Sequence, residues 1–249
     1  MKLIILFFFG ASLGSFLGLV IDRFPQESII FPASHCNHCK KQLKAWDLIP
    51  VLSQIWRKSR CGYCQAKIPI WYALFEGLTG ILVLLLESGS LSLSQFLLVL
   101  AGLVLAIYDI KHREYPLMVW LVFAGLVLAL LGFNLPFFLF LLLAILAEIF
   151  PLKMGSGDFL YMALIALVFS VTDLLWVIQI SSFLGILFAA LFQQKSQPIP
   201  FIPFLLIGLI CYLPLVSFVF LTNDPVNPHG VLACETYNFC HFYAIIISV

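Results

Sequence analysis

The sequence predicts an all-α polytopic membrane protein of about eight transmembrane helices, carrying a small zinc-binding cytoplasmic insert. Three observations predict it. Of 249 residues, 63% are hydrophobic and only 10% charged, whereas about 25% of a soluble domain is charged. Apolar runs long enough to approach a bilayer's thickness recur along the chain. The few charges are also crowded: residues 22–72 hold eight of the 13 Lys and Arg residues and three of the 12 acids. So few charges cannot clothe a soluble enzyme or keep a chain disordered, and a net charge of +1 gives no footing for nucleic acid.

The first run covers residues 3–21. A cleaved signal peptide would carry its basic flank before the apolar stretch. Here only Lys2 precedes it and the basic cluster follows, so the run reads as a retained helix with its N-terminus outside. Further runs lie at 71–87, 91–109, 115–133, 135–151, 158–172, 174–192 and 199–221, separated by segments such as Lys111-His112-Arg113, Asn134-Leu135-Pro136 and Thr172-Asp173. With 22–72 in the cytoplasm, this count also places Lys111, Arg113, Lys153 and Lys195 inside and only Lys2 outside, as the positive-inside rule requires. No internal repeat stands out. The domains expected are a first transmembrane helix (1–21), the insert (22–70), a transmembrane catalytic part of about seven helices (71–221) and an extracytoplasmic tail (222–249).

Within the insert, Cys36-Asn-His-Cys39 and Cys61-Gly-Tyr-Cys64 form two CxxC pairs. Each such turn aims two thiolates at one centre, and two turns complete the tetrahedral site that structural zinc prefers. A segment with few large apolar residues also needs the folding energy a metal supplies. Two disulfides are the alternative, at odds with a reducing compartment. His35 and His38 flank the first pair as spare donors. Cys211, Cys234 and Cys240 fall late in the chain; the last two lie in the tail, where they could pair.

Acids in or beside apolar runs are Glu76, Glu87, Asp109, Glu114, Glu148, Asp158 and Asp173. An ionisable group at membrane depth points to function by default. The topology brings Asp109 and Asp158 to the same face at similar depth. Two carboxylates in a poorly hydrated site share a proton, and such a pair can activate water while donating to a carbonyl. Gly155 and Gly157, just before Asp158, would let the backbone bend and approach closely. On spacing alone the pair reads equally as interfacial anchors or helix caps, with Asp158 as an N-cap.

Taken in order, the motifs resemble the type IV prepilin peptidase (leader peptidase/N-methyltransferase) family of GxGD aspartic membrane proteases. The resemblance runs through Gly14-Ser15-Phe16-Leu17, Ile21-Asp22-Arg23-Phe24-Pro25, the two CxxC pairs with Trp46 to Ser53 between them, and Trp71-Tyr72 through Gly80. It continues through Asp109 to Pro116, Gly155-Ser156-Gly157-Asp158, and Ile199 to Leu205. It implies Asp109 and Asp158 as catalytic residues and Cys36, Cys39, Cys61 and Cys64 as zinc ligands. It also implies removal of leader peptides from prepilin or pseudopilin precursors at the cytoplasmic face of a bacterial plasma membrane. Many members also methylate the new N-terminus with S-adenosylmethionine, although no methyl-donor site can be picked out here. Two departures matter: Leu160 stands where the family often has lysine, and residues 222–249 have no counterpart. Tyr108-Asp109 with the GxGD segment also resembles intramembrane proteases of other substrate classes. A pilus-assembly scaffold and a transporter are the readings without proteolysis.

Overall fold

The computed structural model describes residues 1–113, 115–150, 154–192 and 199–223, without the side chains of residue 192 and residues 215–223. Glu114, Lys153, Lys195 and the cysteines expected to pair, Cys234 and Cys240, lie outside the described residues. Among those described there is no strand, and helices occupy each of the eight apolar runs. Two compact units divide the chain, Met1–Ser88 and Gly89–Val249.

In the first unit, α1 (Lys2–Arg23) and α3 (Trp71–Glu87) pack along each other. Polar pairs at both ends fix them antiparallel. Lys2 bonds Glu87 at one end, and the Tyr72 hydroxyl donates to Asp22 at the other. The helices approach closely at Gly14, where a Cβ would overlap the Thr79 hydroxyl. Between them the insert contributes a 3₁₀ turn (Ala45–Leu48) and the short α2 (Leu52–Trp56). Arg23, 8% exposed, gathers the start of the insert by donating to the carbonyls of Pro32 (2.6 Å) and Ala33 (3.4 Å).

The second unit holds α4 (Leu93–His112), α5 (Leu117–Leu131), α6 (Leu135–Ile149), α7 (Ser156–Val168), α8 (Val171–Phe192) and α9 (Ile202–Asn223). Their starts follow from local chemistry. Ser92 and Gln95 form a reciprocal capping box for α4. Asn134 accepts from the Phe137 N–H at 2.9 Å to cap α6, with Pro136 in the first turn. Gly132, at φ 74°, ends α5. The break before α8 falls at Phe169-Ser170, not at the expected separator Thr172-Asp173, because Asp173 sits inside the helix as the capping partner of Ser170. Likewise α4 does not stop at Asp109 but continues to His112.

The core of this unit is α7. Every residue from Leu160 to Leu167 is buried, and α4, α5, α6, α8 and α9 all pack on it. Two neighbouring side chains bond directly to its backbone: Trp120 Nε1 donates to the Leu160 carbonyl (2.9 Å) and Asn134 Nδ2 to that of Ala166 (2.7 Å). Against α4 the fit depends on Gly102, where a Cβ would overlap the Tyr161 hydroxyl and come within 2.7 Å of Leu206 Cδ1.

By length and composition α1, α4 and α8 can each cross a membrane, while α5, α6, α7 and the Ile202–Pro214 part of α9 are shorter apolar helices. The described residues are therefore all-helical, as expected of a helical membrane protein.

Gly102→Ala should destabilise the second unit by about 1–3 kcal/mol, the usual range for overpacking a tight contact. Adding Tyr161→Phe, which removes the obstructing oxygen, should recover part of the loss. Thermal unfolding of the four proteins of this cycle in detergent checks the coupling; additive losses would mean that Gly102 and Tyr161 do not meet.

Candidate active site and metal centre

Three helix ends converge in the second unit. Asp109 lies in the last turn of α4, Asp158 in the first turn of α7, and Ile202 opens α9. The first N–H groups of a helix have no partner inside it. The Ile202 N–H uses this freedom to donate to Asp109 Oδ2 at 3.3 Å. Asp109 is thus held from outside its own helix. Asp158 lies near enough for the two charges to interact, so the structure brings the two aspartates together.

Asp158 is not an N-cap. Gly155 takes that position and Asp158 stands three residues further on, inside the first turn. The glycines also serve differently from expectation. Gly155, at φ −69° and ψ 145°, has backbone angles open to any residue. Gly157 makes room for a neighbour: a Cβ there would collide with the ring of Tyr115. That ring carries a buried hydroxyl with no hydrogen-bond partner among the described residues, within electrostatic reach of Asp158 and Tyr161. Sequence reasoning missed Tyr115 and the Ile202 N–H. The second had a signal, since Pro203 one residue on marks a helix start. The first had none, because a tyrosine two residues before a helix is unremarkable.

Three of the other acids are structural in their contacts. Glu87 pairs with Lys2, Asp173 caps α8 and accepts from the Tyr212 hydroxyl, and Glu76 accepts from the Val51 N–H at 2.7 Å.

In the first unit the four insert cysteines close on one point, all sulfurs lying within 4.8 Å of one another. Cys36 and Cys64 approach to 3.8 Å. Four sulfurs at about 2.3 Å from a tetrahedral zinc would be separated by about 3.8 Å, so the cluster fits a metal ion. The thiols are free, and the close contact runs between the CxxC turns. The two turns are copies. Cys36 N–H donates to the Lys41 carbonyl and Leu43 N–H to that of Ser34; Cys61 N–H donates to Ala66 and Ile68 N–H to Ser59. Lys40 and Gln65, just after each second cysteine, are both left-handed at φ 57°. Ser34 to Leu43 and Ser59 to Ile68 are therefore a short internal repeat, hidden in the sequence by its brevity. Backbone N–H groups of Cys64 and Tyr63 lower the Cys61 thiol to a pKa of about 7, readying it as a thiolate ligand.

Known proteins resemble the chain in sequence. Residues 8–88 match the bacterial peptidase A24 N-terminal domain, a range within the first unit. A "prepilin leader peptidase/N-methyltransferase" of Bacillus subtilis (strain 168) is 31% identical over 247 residues, covering 86% of this chain and 96% of the relative. A "type 4 prepilin-like proteins leader peptide-processing enzyme" of Escherichia coli O78:H11 is 30% identical over 80% of this chain and 88% of the relative. A "prepilin leader peptidase/N-methyltransferase" of Aeromonas salmonicida is 29% identical over 82% of this chain and 87% of the relative. No solved structure matches the chain.

Cys61→Ser removes one of four metal donors. The unaltered protein should carry bound metal and the purified variant should lack it, and the variant's first unit should lose resistance to proteolysis. Elemental analysis with limited proteolysis measures both; full metal content in the variant would rule out a four-thiol site. Because the ligands are thiolates, metal should also be released as pH falls and they protonate.

Proposed function

The chain belongs to the prepilin leader peptidase/N-methyltransferase family, and from that membership we propose that it removes the leader peptide from prepilin-like precursors by aspartic-protease chemistry. What supports the mechanism is the placement of Asp109 in the last turn of α4 and Asp158 in the first turn of α7, within electrostatic reach of each other. Two carboxylates so placed share one proton. The ionised member takes a proton from water, and the resulting hydroxide attacks the scissile carbonyl. The protonated member donates its proton to the carbonyl oxygen, giving a tetrahedral diol; the first member then passes the proton it took from water to the amide nitrogen as the C–N bond breaks, and the second recovers a proton from the diol, leaving a carboxyl and a free amine. Either aspartate can start as the base, since each accepts one backbone N–H, Asp109 from Ile202 and Asp158 from Gly155. In this reading the Tyr115 hydroxyl, buried within electrostatic reach of Asp158, supplies a further hydrogen bond to the carbonyl oxygen.

The remaining assignments follow the family and the charge pattern. All eight apolar helices cross the bacterial plasma membrane, with dyad and insert on the cytoplasmic side, as the placement of the basic residues favours. The four-cysteine cluster holds structural zinc, supplying folding energy rather than a reacting group. S-adenosylmethionine serves as donor for methylation of the mature N-terminus, in keeping with the relatives' names. An intramembrane protease for other substrates is the second reading; the cysteine cluster and the match over residues 8–88 favour the prepilin branch.

Asp109→Asn and Asp158→Asn should each lower kcat/KM for a prepilin by about 1,000-fold or more, with the melting temperature preserved. Cleavage surviving in either folded variant would refute the dyad. Tyr115→Phe removes an unpaired buried hydroxyl, so stability should hold or rise, while kcat should fall by about 10- to 1,000-fold as for other oxyanion donors. An unchanged kcat would remove Tyr115 from the mechanism. Mass spectrometry of the processed pilin decides methylation, and an unmethylated N-terminus would exclude it.

A further inference from the structure

The proposed chemistry uses neither α2 nor the 3₁₀ turn packed on it. Leu52, Ile55 and Trp56 are spaced one helical turn apart, on one face of α2. Ile55 is 68% exposed and Trp56 80%, while Trp46 on the adjoining turn is 77% exposed. No soluble surface gains from leaving two indoles and an isoleucine together in water.

We infer that this face is a membrane-docking surface, seated on the anionic headgroups of the leaflet from which α1 and α3 emerge. Two observations choose lipid over a protein partner. The first is depth. The Val51 N–H at the start of α2 bonds Glu76 in α3, five residues past the helix start at Trp71. At about 1.5 Å per residue this holds α2 about 7 Å along α3, level with its first turns. That is the depth at which tryptophans and amphipathic helices settle in the interface. The second is charge. Residues 22–72 carry eight basic residues against three acids, and one of those acids, Asp47, is already paired with Arg57 at 2.8 Å. Lys58 and Arg60 follow α2 directly and are exposed. An aromatic face with a basic hem complements an anionic lipid surface. Docking would hold the cysteine cluster against the bilayer at a fixed height.

The inference rests on reading α1 and α3 as membrane-spanning, and its test separates the two. The full chain is placed in nanodiscs of phosphatidylcholine and phosphatidylglycerol with lipids brominated at a shallow or a deep acyl carbon. Shallow bromine should quench Trp46 and Trp56, seen as a component lost in the W46F/W56F variant. Trp176, exposed on α8, serves as the control. Amides of residues 52–57 should also exchange more slowly when phosphatidylglycerol is present. Lys58→Gln and Arg60→Gln should each weaken that protection about five-fold. Quenching of Trp176 without quenching of Trp46 and Trp56 would overturn the docking surface, meaning that water or protein covers it. Loss of quenching at all three would overturn the membrane-spanning reading and the docking surface with it.

Discussion

The second unit depends on how closely α4 can approach α7. Gly102 presents no side chain, so the Tyr161 ring lies against the α4 backbone and its hydroxyl reaches the Leu98 carbonyl at 3.5 Å. Asp109 follows Gly102 by two turns, and Asp158 precedes Tyr161 by one. Helix geometry transmits the contact from the packed middle to both polar ends. Burial of α7 on every side makes that transmission stiff, since a close-packed core yields little. The packing below the carboxylates thus limits how far their two helix ends can part.

The first unit solves a different problem. Its insert has too few apolar residues to fold around, and polar contacts take over that task. Arg23 collects carbonyls at the start of the insert, Glu76 anchors Val51 in its middle, and the cysteine turns converge without a hydrophobic core beneath them. A charged residue buried at each anchor would be costly alone. Arg23 meets the cost with backbone partners, and Glu76 with an N–H that α2 leaves free at its start.

Much of this was legible in the sequence, for identifiable reasons. Hydropathy revealed the helices because a bilayer demands long apolar runs, and CxxC spacing revealed the cysteine cluster because a chelating turn needs two intervening residues. The carboxylate pair was singled out by the expected topology and by the family resemblance, since parity of helix count puts the end of α4 and the start of α7 on one face. What escaped was set by packing or by backbone. Asp173 looked like a separator because its capping bond to Ser170 is invisible to hydropathy. Asp158 looked like a cap because glycine can cap too. Tyr115 became notable only when its ring was seen against Gly157 with its hydroxyl unpaired. The repeat of the cysteine turns lies in hydrogen bonds that different side chains share.

Three helices of the second unit are short. Those of α5 and α6 have 15 residues and α7 has 13, which makes them about 20–23 Å long, against a hydrocarbon layer of about 30 Å. Such a mismatch is relieved by a thinned bilayer around the protein. With α5, α6 and α7 crossing the bilayer as proposed, the enzyme would carry its own dimple in the membrane. A substrate helix sliding in from lipid of ordinary thickness would find its end lifted out of the hydrocarbon on arrival, and the bond to be cut would meet water there without any unwinding by the protein.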